Sequence, residues 1–235
     1  MEGYRELRRA AAGGIVFDEI SACPELFLGD NEAGLLEKCR KAGAQVFEMA
    51  EAPFRKVSYR DRPEGLLGVA RQFEVGLGRL EIADPALVLV AEAIEKPGNL
   101  GTMLRTAEAA GAGAVIVCDP ATDPFNPNVV RASLGTLFEV PLAVASTPDT
   151  IAWLRERRIR SLAATPAAAT PHHAADMTGP VALVIGSEQY GLTDAWLEGA
   201  DERIVIPMPG SVDSLNAAMS AGILLFEAIR QRSTP

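Results

Sequence analysis

The chain has 235 residues, of which 48% are hydrophobic and 23% are charged, which is an ordinary composition for a globular protein of one large or two small domains. No apolar run approaches the roughly eighteen residues of a membrane span, and the first residues lack the pattern of a signal peptide, so we expect no membrane segment. The net charge of −9 taken alone disfavours a polyanionic partner.

The charge is unevenly distributed along the chain. Residues 1–80 have a formal charge of −1, whereas residues 81–235 have one of −8. Because local patches rather than net charge decide contact with phosphate, basic clusters in the first part are candidate phosphate contacts, among them Arg8, Arg9, Arg55 and Lys56. The alternative is a solvated face balanced by nearby acids.

The cysteines and histidines do not form a pattern of metal or catalytic chemistry. Cys23, Cys39 and Cys118 include no C-x-x-C pair, which indicates a reducing, cytoplasmic setting and no disulfide framework. His172 and His173 are adjacent, without a carboxylate at a useful spacing. We therefore predict no metal site and no Ser–His–Asp hydrolase, and no G-x-G-x-x-G follows a strand as a dinucleotide site requires.

A glycine-rich segment near residues 75–84 separates two parts of different composition. Before it, amphipathic helices alternate with short strands, which predicts a small α/β domain over residues 1–80. After it, apolar runs alternate with helical or loop segments, at 86–91, 114–118, 140–145, 161–164, 181–185 and 203–206. This alternation predicts an α/β domain over residues 81–235, with a mostly parallel sheet covered by helices on both faces.

Polar residues follow the first of these apolar runs. Pro97, Gly98 and Asn99 predict a turn, with Asn99 as the cap of an alanine-rich helix over residues 100–110. Arg105 lies within two turns of that cap, close enough to reach back toward the strand ends. The alternative for Arg105 is a solvated arginine on an amphipathic helix. The Pro/Asn-rich residues 119–130 are expected to form a long loop that helps to shape a site.

Two later segments have similar features. The run at 181–185 leads to Gly186, Glu188 and Gly191, although Glu188 could instead sit in the first turn of a helix, where a carboxylate suits the dipole. The pattern of residues 206–218 predicts a strand, a Pro/Gly loop and a helix start that contains Ser214 and Asn216. No lysine follows the glycine, so this is not a P-loop. Because parallel strands end at one sheet edge, these segments predict a ligand site there.

In their order and content, the three segments resemble the motifs of the SpoU, or TrmH-like, branch of the SPOUT RNA methyltransferases. The matching residues of the first motif, in NLGTMLR, are Asn99, Gly101 and Arg105. Those of the second are Gly186, Glu188, Gly191 and Leu192, and those of the third are Ile206, Pro207, Met208, Ser214, Leu215 and Asn216. The resemblance covers about residues 86–230, and the α/β pattern of residues 1–80 is similar to the L30e-like RNA-binding domain of that family.

The resemblance implies a particular fold, assembly and cofactor. It implies a deep trefoil knot at the C-terminal end of the second domain and a homodimer with its active site near the interface. It also implies that S-adenosylmethionine is bound by main-chain groups of three loops that contain Ala164, Thr165, Gly186, Ile206, Met208, Ser214 and Leu215.

The reaction that the resemblance implies is methyl transfer to a ribose 2′-hydroxyl of structured RNA. A hydroxyl is a poor nucleophile, so its proton must be removed or its oxyanion stabilised. The implied activator is Arg105, and whether it acts as a base or as an electrostatic stabiliser stays open because a guanidinium pKa lies above about 12. The other implied catalytic residues are Asn99, Glu188, Ser214 and Asn216. Arg8, Arg9, Arg55 and Lys56 then become candidate RNA contacts.

Ribosomal RNA is favoured over tRNA as the substrate, because residues 1–80 form an additional domain and the chain shows no short basic terminal extension. Three alternatives remain at this stage. The chain could methylate tRNA, it could be a non-catalytic RNA-binding or ribosome-assembly protein on the same fold, or it could methylate a small molecule. The basic clusters of residues 1–80 disfavour the last of these.

Overall fold

The computed structural model describes residues 1–233, so Thr234 and Pro235, at the end of the predicted second domain, lie outside the described residues. The chain divides into two compact units. The first consists of residues 1–74 and 134–139, and the second of residues 75–133 and the described residues from 140 onward. Residues 134–139 thus group with the first unit, although the sequence predicts a single crossing near residue 80.

The first unit is a small three-stranded sheet with three helices. Its elements are α1 (Tyr4–Ala12), β1 (Phe17–Ala22), α2 (Glu32–Lys41), β2 (Gln45–Glu48), α3 (Glu51–Val57) and β3 (Leu66–Ala70). The strand order is β2-β1-β3, in which β1 runs parallel to β2 and antiparallel to β3. Burial of apolar side chains stabilises this unit, with fully or nearly fully buried Leu7, Phe17, Ile20 and Leu66 in its core.

The second unit is built on a seven-stranded sheet. Its elements are β4 (Leu87–Glu92), α4 (Pro97–Ala109), β5 (Ala114–Cys118), α5 (Pro127–Ala132), β6 (Leu142–Ala145), α6 (Thr147–Glu156), β7 (Arg160–Ala164), β8 (Thr170–Pro171), β9 (Val181–Ile185), α7 (Asp194–Gly199), β10 (Glu202–Val205) and α8 (Ala217–Arg232). The strand order is β6-β5-β4-β9-β7-β10-β8, and every pair of neighbours is parallel. The predicted α/β fold with a parallel sheet is therefore confirmed.

Helices cover both faces of this sheet. Val88 and Val90 of β4 belong to one core cluster with Trp153 of α6 and Trp196 of α7. Helices α4, α5 and α8 contribute no described residue to that cluster, and α4 packs against both α5 and α8. Because successive strand residues point to opposite faces, Leu87, Leu89 and Ala91 of β4 face the other layer.

Several helix starts differ from those predicted from the sequence. Helix α4 begins at Pro97, with Lys96 at its N-cap, so Asn99 lies in the first turn and does not cap the helix. Proline suits the first helical position because its missing N–H would have no partner there. Helix α5 begins inside the predicted loop 119–130, capped by Asn126. Glu188 lies outside any helix, since α7 begins only at Asp194.

None of the helices within residues 1–233 is both long and apolar enough to cross a membrane.

Gly101 allows α4 and α5 to pack closely. A Cβ at this position would lie 2.5 Å from the Cβ of Ala132 and 2.7 Å from the backbone oxygen of Val129. Real Cβ contacts are longer than this, so a side chain would force the two helices apart. The glycine of the first motif therefore has a packing role, and it fixes the helix that presents Asn99.

We expect Gly101→Ala to destabilise the fold by about 1–3 kcal/mol, because the added methyl group overpacks the contact between α4 and α5. Gly98→Ala is the matched control, since a Cβ there would meet no atom within 4 Å in the same helix. The control should be neutral or slightly stabilising, by up to about 1 kcal/mol. Urea unfolding checks both, and equal stability of the two variants would contradict the packing role.

Candidate active site

The side chains of Asn99, Glu188 and Asn216 come from three separate segments and meet beyond the ends of neighbouring strands. Glu188 Oε1, in the loop after β9, accepts hydrogen bonds from Asn99 Nδ2 at 2.7 Å and from Asn216 Nδ2 at 2.5 Å. Asn216 Nδ2 also lies 3.1 Å from Asn99 Oδ1. Residues that are 89 and 28 positions from Glu188 in the chain are thus joined into one polar cluster.

Asn216 is held in place as the N-cap of α8. Its Oδ1 accepts hydrogen bonds from the backbone N–H groups of Ala218 at 3.1 Å and Met219 at 3.2 Å. This is the usual role of an N-cap side chain, which satisfies donors that have no partner within the helix. Since Oδ1 is engaged with the helix, the amide nitrogen is directed to Glu188 and Asn99.

A lysine that was not predicted as a site residue completes the cluster. Lys96 Nζ lies 2.5 Å from Glu188 Oε2. The hydrogen bond with Lys96 is the main cause that lowers the pKa of the Glu188 carboxyl, with Asn99 and the backbone N–H of Ala217 acting in the same direction. The same contact raises the pKa of Lys96. A charged residue just before the Pro-Gly-Asn turn was the only sequence signal that could have pointed to Lys96.

Gly186 and the loop after it explain how Glu188 reaches the cluster. A Cβ on Gly186 would lie 2.3 Å from the backbone carbon and oxygen of Gly191, which leaves no room for a side chain. Ser187 and Gly191 exchange two backbone hydrogen bonds, at 3.1 and 3.0 Å, and Gly191 has a φ of +70° that favours glycine. The two glycines thus close a tight turn that carries Glu188.

A cavity of about 430 Å³ lies beside the cluster, and its size is that of a small-molecule site. Its wall is mostly apolar or small, and among residues 1–233 only Glu188 is a charged residue that lines it. All seven residues predicted to bind the cofactor line this one cavity: Ala164, Thr165, Gly186, Ile206, Met208, Ser214 and Leu215. The sequence gives only the order of these three loops along the chain, whereas the structure shows that they meet around one cavity.

The predicted catalytic residues do not all join the Glu188 cluster. Arg105 is exposed on α4 and makes no hydrogen bond or ion pair within residues 1–233. Arg105 lies six positions after Asn99, which is about 9 Å further along the helix axis and on a different face of α4. Glu188 therefore contacts Asn99 and, within residues 1–233, makes no hydrogen bond or ion pair with Arg105. Ser214 lines the cavity without a hydrogen bond to Glu188.

The four candidate RNA contacts lie in the first unit and differ in availability. Arg8 and Lys56 are exposed. Arg9 is partly buried and pairs with Glu139 at 3.6 Å, and Arg55 pairs with Glu51 at 2.6 Å. These ion pairs compete with any phosphate for two of the four cations.

Glu188→Gln should reduce stability at neutral pH in a pH-dependent way. Because the pKa of Glu188 is lowered from its ordinary 4.5, its charge stabilises the fold above that value, and this contribution is lost as pH falls through the lower folded pKa. The expected loss at pH 7 is about 1 kcal/mol or less, since solvent screens the pair with Lys96.

Urea unfolding at pH 7 and at stepwise lower pH checks this expectation. The difference between the wild type and Glu188→Gln should shrink toward acid pH. Glu198→Gln, which changes an exposed carboxylate of α7 outside the cluster, is the matched control and should show no such trend. A difference for Glu188→Gln that is constant from pH 7 to pH 3 would contradict the assigned cause.

Two family models match this chain, and one of them includes the site. Residues 86–226 match the model of the SpoU rRNA Methylase family, and residues 1–68 match that of the MRM3-like substrate binding domain. Among curated proteins, the 23S rRNA (guanosine-2′-O-)-methyltransferase RlmB of Ralstonia nicotianae is 34% identical over 203 residues, which are 84% of this chain and 82% of that protein.

Solved structures agree over nearly the whole length. An AdoMet-bound rRNA methyltransferase from Sinorhizobium meliloti is 31% identical with a TM-score of 0.90, over 100% of this chain and 87% of that one. An RNA 2′-O ribose methyltransferase is 39% identical with a TM-score of 0.85, over 99% and 88% of the two chains. The first family model spans more than half of the sequence and includes the Glu188 cluster and most of α8. The chain therefore belongs to the SpoU rRNA methylase family.

Proposed function

We propose that this protein transfers the methyl group of S-adenosylmethionine to a ribose 2′-hydroxyl of ribosomal RNA. The observation that carries the proposal is the cavity with the Asn99–Glu188–Asn216 cluster at its edge, in a chain of the SpoU family. Relatives named as 23S rRNA 2′-O-methyltransferases, from Ralstonia nicotianae and Bacillus subtilis, support both the reaction and the RNA class.

The cavity fits S-adenosylmethionine in size and in the character of its wall. Its small and apolar residues, such as Ala164 and Gly186, leave room for an adenine ring and expose main-chain groups that can bind it. The proposed cofactor residues are the seven that line the cavity, from Ala164 to Leu215. When bound, S-adenosylmethionine supplies an electrophilic methyl group on a sulfonium. An AdoMet-bound structural neighbour supports this assignment.

The polar cluster positions the substrate in this proposal. Glu188 fixes the amide groups of Asn99 and Asn216, which then form a preorganised polar wall at the cavity edge. Ser214 completes that wall. Arg105 activates the ribose hydroxyl in one of two ways: its neutral form takes the proton as a base, or its cation stabilises the oxyanion that develops as the proton leaves.

Residues 1–80 form the RNA-binding domain in this proposal, with an L30e-like fold, and residues 81–235 form the methyltransferase domain, with a trefoil knot. The match of residues 1–68 to a substrate binding domain supports the first assignment. Arg8 and Lys56 are the proposed contacts that stand free of ion pairs within residues 1–233, whereas Arg9 and Arg55 must exchange an acidic partner for phosphate.

The protein acts as a homodimer in this proposal, located in the cytoplasm. An apolar stripe on α8 supports the dimer, since Met219 and Phe226 are 62% and 52% exposed. Seven residues apart, they lie on the same face of the helix. Exposed apolar side chains arranged in a patch indicate a surface that another molecule covers.

Gly186→Ala should weaken binding of S-adenosylmethionine by at least about tenfold. The added methyl group would displace the Ser187–Gly191 turn, whose backbone lies 2.3 Å from the position of the new Cβ. Gly179→Ala is the matched control, because a Cβ there meets no atom within 4 Å. Isothermal titration calorimetry checks both variants, and unchanged affinity of Gly186→Ala would argue against cofactor binding in this cavity.

Arg105→Ala should lower methyl transfer by about 10²- to 10³-fold, as removal of a charge that stabilises a developing oxyanion does. Binding of S-adenosylmethionine should persist, since Arg105 does not line the cavity. The measurement is transfer of labelled methyl groups to unmodified ribosomal RNA and, separately, to bulk tRNA, read as alkali-resistant dinucleotides. Arg157→Ala, at the end of α6, is the control.

The outcomes separate the competing functions. Label in ribosomal RNA supports the proposal, and label only in tRNA keeps the chemistry but overturns the substrate. No label in either RNA, with the cofactor bound, would favour a small-molecule acceptor. Full cellular function of Arg105→Ala would favour a non-catalytic role in ribosome assembly.

A further inference from the structure

Lys96 occupies a position where helix stability does not account for a lysine. It is the N-cap of α4, and its backbone oxygen accepts the N–H groups of Asn99 at 3.0 Å and Leu100 at 3.2 Å. The macrodipole makes the N-terminus of a helix unfavourable for a positive charge. The side chain of Lys96 is 68% exposed, and an ion pair that is so open to solvent contributes little to stability.

Lys96 is not the only group that stabilises the charge of Glu188. Its Oε1 already accepts hydrogen bonds from Asn99 and Asn216. The backbone N–H of Ala217, the first residue of the 16-residue helix α8, also lowers the pKa of the Glu188 carboxyl. The positive end of that helix and two amides remain near the carboxylate when the ammonium moves away.

An RNA that approaches the Lys96–Glu188 pair needs a nearby cation to offset the negative charge of Glu188. None of the described residues that line the cavity is a lysine or arginine, and Glu188 contributes a negative charge at its edge. A phosphodiester next to the reacting ribose would meet that carboxylate first. The exposed ammonium of Lys96 is 2.5 Å from Glu188 Oε2 and can reach outward to solvent.

We propose that Lys96 binds a backbone phosphate of the RNA beside the target ribose, exchanging Glu188 Oε2 for a phosphate oxygen when the RNA docks. A lysine ammonium is a compact point charge that suits this role. The proposal deepens the function proposed above and rests on it, because it takes RNA to be the substrate of this site. No covalent step is involved, and Lys96 contacts the substrate directly.

Lys96→Gln tests the proposal, because the glutamine amide can still donate to Glu188 while the charge is lost. The KM for an unmodified 23S rRNA transcript should rise about tenfold. The slope of log affinity against log salt, measured by direct RNA binding, should shrink by roughly 0.7–0.9, the share of one phosphate contact. The Kd of S-adenosylmethionine and the melting temperature should stay unchanged, and Lys96→Arg should restore RNA binding.

Arg157→Gln is the matched control, since it removes an exposed cation that pairs with Glu156 at 3.2 Å at the end of α6. It should leave the KM and the salt slope unchanged. An unchanged salt slope in Lys96→Gln would overturn the proposal, even if kcat fell, because Lys96 would then act only through Glu188.

Direct binding keeps this test separate from the test of the function itself. A wild-type protein that binds the transcript but methylates no RNA would contradict the proposed function, while the salt slopes would still decide the role of Lys96.

Discussion

The carboxylate of Glu188 is the interaction on which the rest of the site depends. It accepts hydrogen bonds from Asn99 in the first turn of α4 and from Asn216 at the N-cap of α8, and it pairs with Lys96. Two helix N-termini therefore point toward a single anion, an arrangement that both helix dipoles favour. Loss of that anion would leave the amide nitrogen of Asn99 without its acceptor and two helix ends without a compensating charge.

Close backbone packing is what allows this convergence. Gly101 brings α4 within contact of α5, and Gly186 lets the turn up to Gly191 fold back on itself. At both positions a Cβ would lie less than 3 Å from atoms that cannot move aside easily. Two glycines of the family motifs thus allow close backbone packing, while Asn99, Glu188 and Asn216 form the hydrogen-bonded polar cluster.

Sequence patterns predicted the sheet better than the details of the site. The strands at 114–118 and 181–185 were predicted to the residue, because short apolar runs bounded by glycine and polar residues leave little choice. The start of α4 was missed, since Pro97 serves equally well as a turn residue or a first helical residue. The sequence predicted a mostly parallel sheet from six apolar runs but not the order of its seven strands, because strand order depends on long-range pairing.

The limits of sequence reasoning are clearest for the charged residues. The pairing of Arg9 with Glu139 joins residues 130 positions apart, and no local pattern reports it. Lys96 was missed because a lone lysine before a turn is an unspecific signal. Only its short distance to Glu188 identifies it as part of the site. The seven residues predicted to bind the cofactor, by contrast, came from the family motifs and nearby loops, and they line one cavity.

The most direct test of this account is a crystal structure of the protein with S-adenosylmethionine. We expect the cofactor in the cavity between Ala164, Gly186 and Leu215, with the hydrogen bonds of Glu188 to Asn99 and Asn216 intact. Cofactor bound elsewhere, or bound there with that cluster dissolved, would contradict the claim that Glu188 organises the active site.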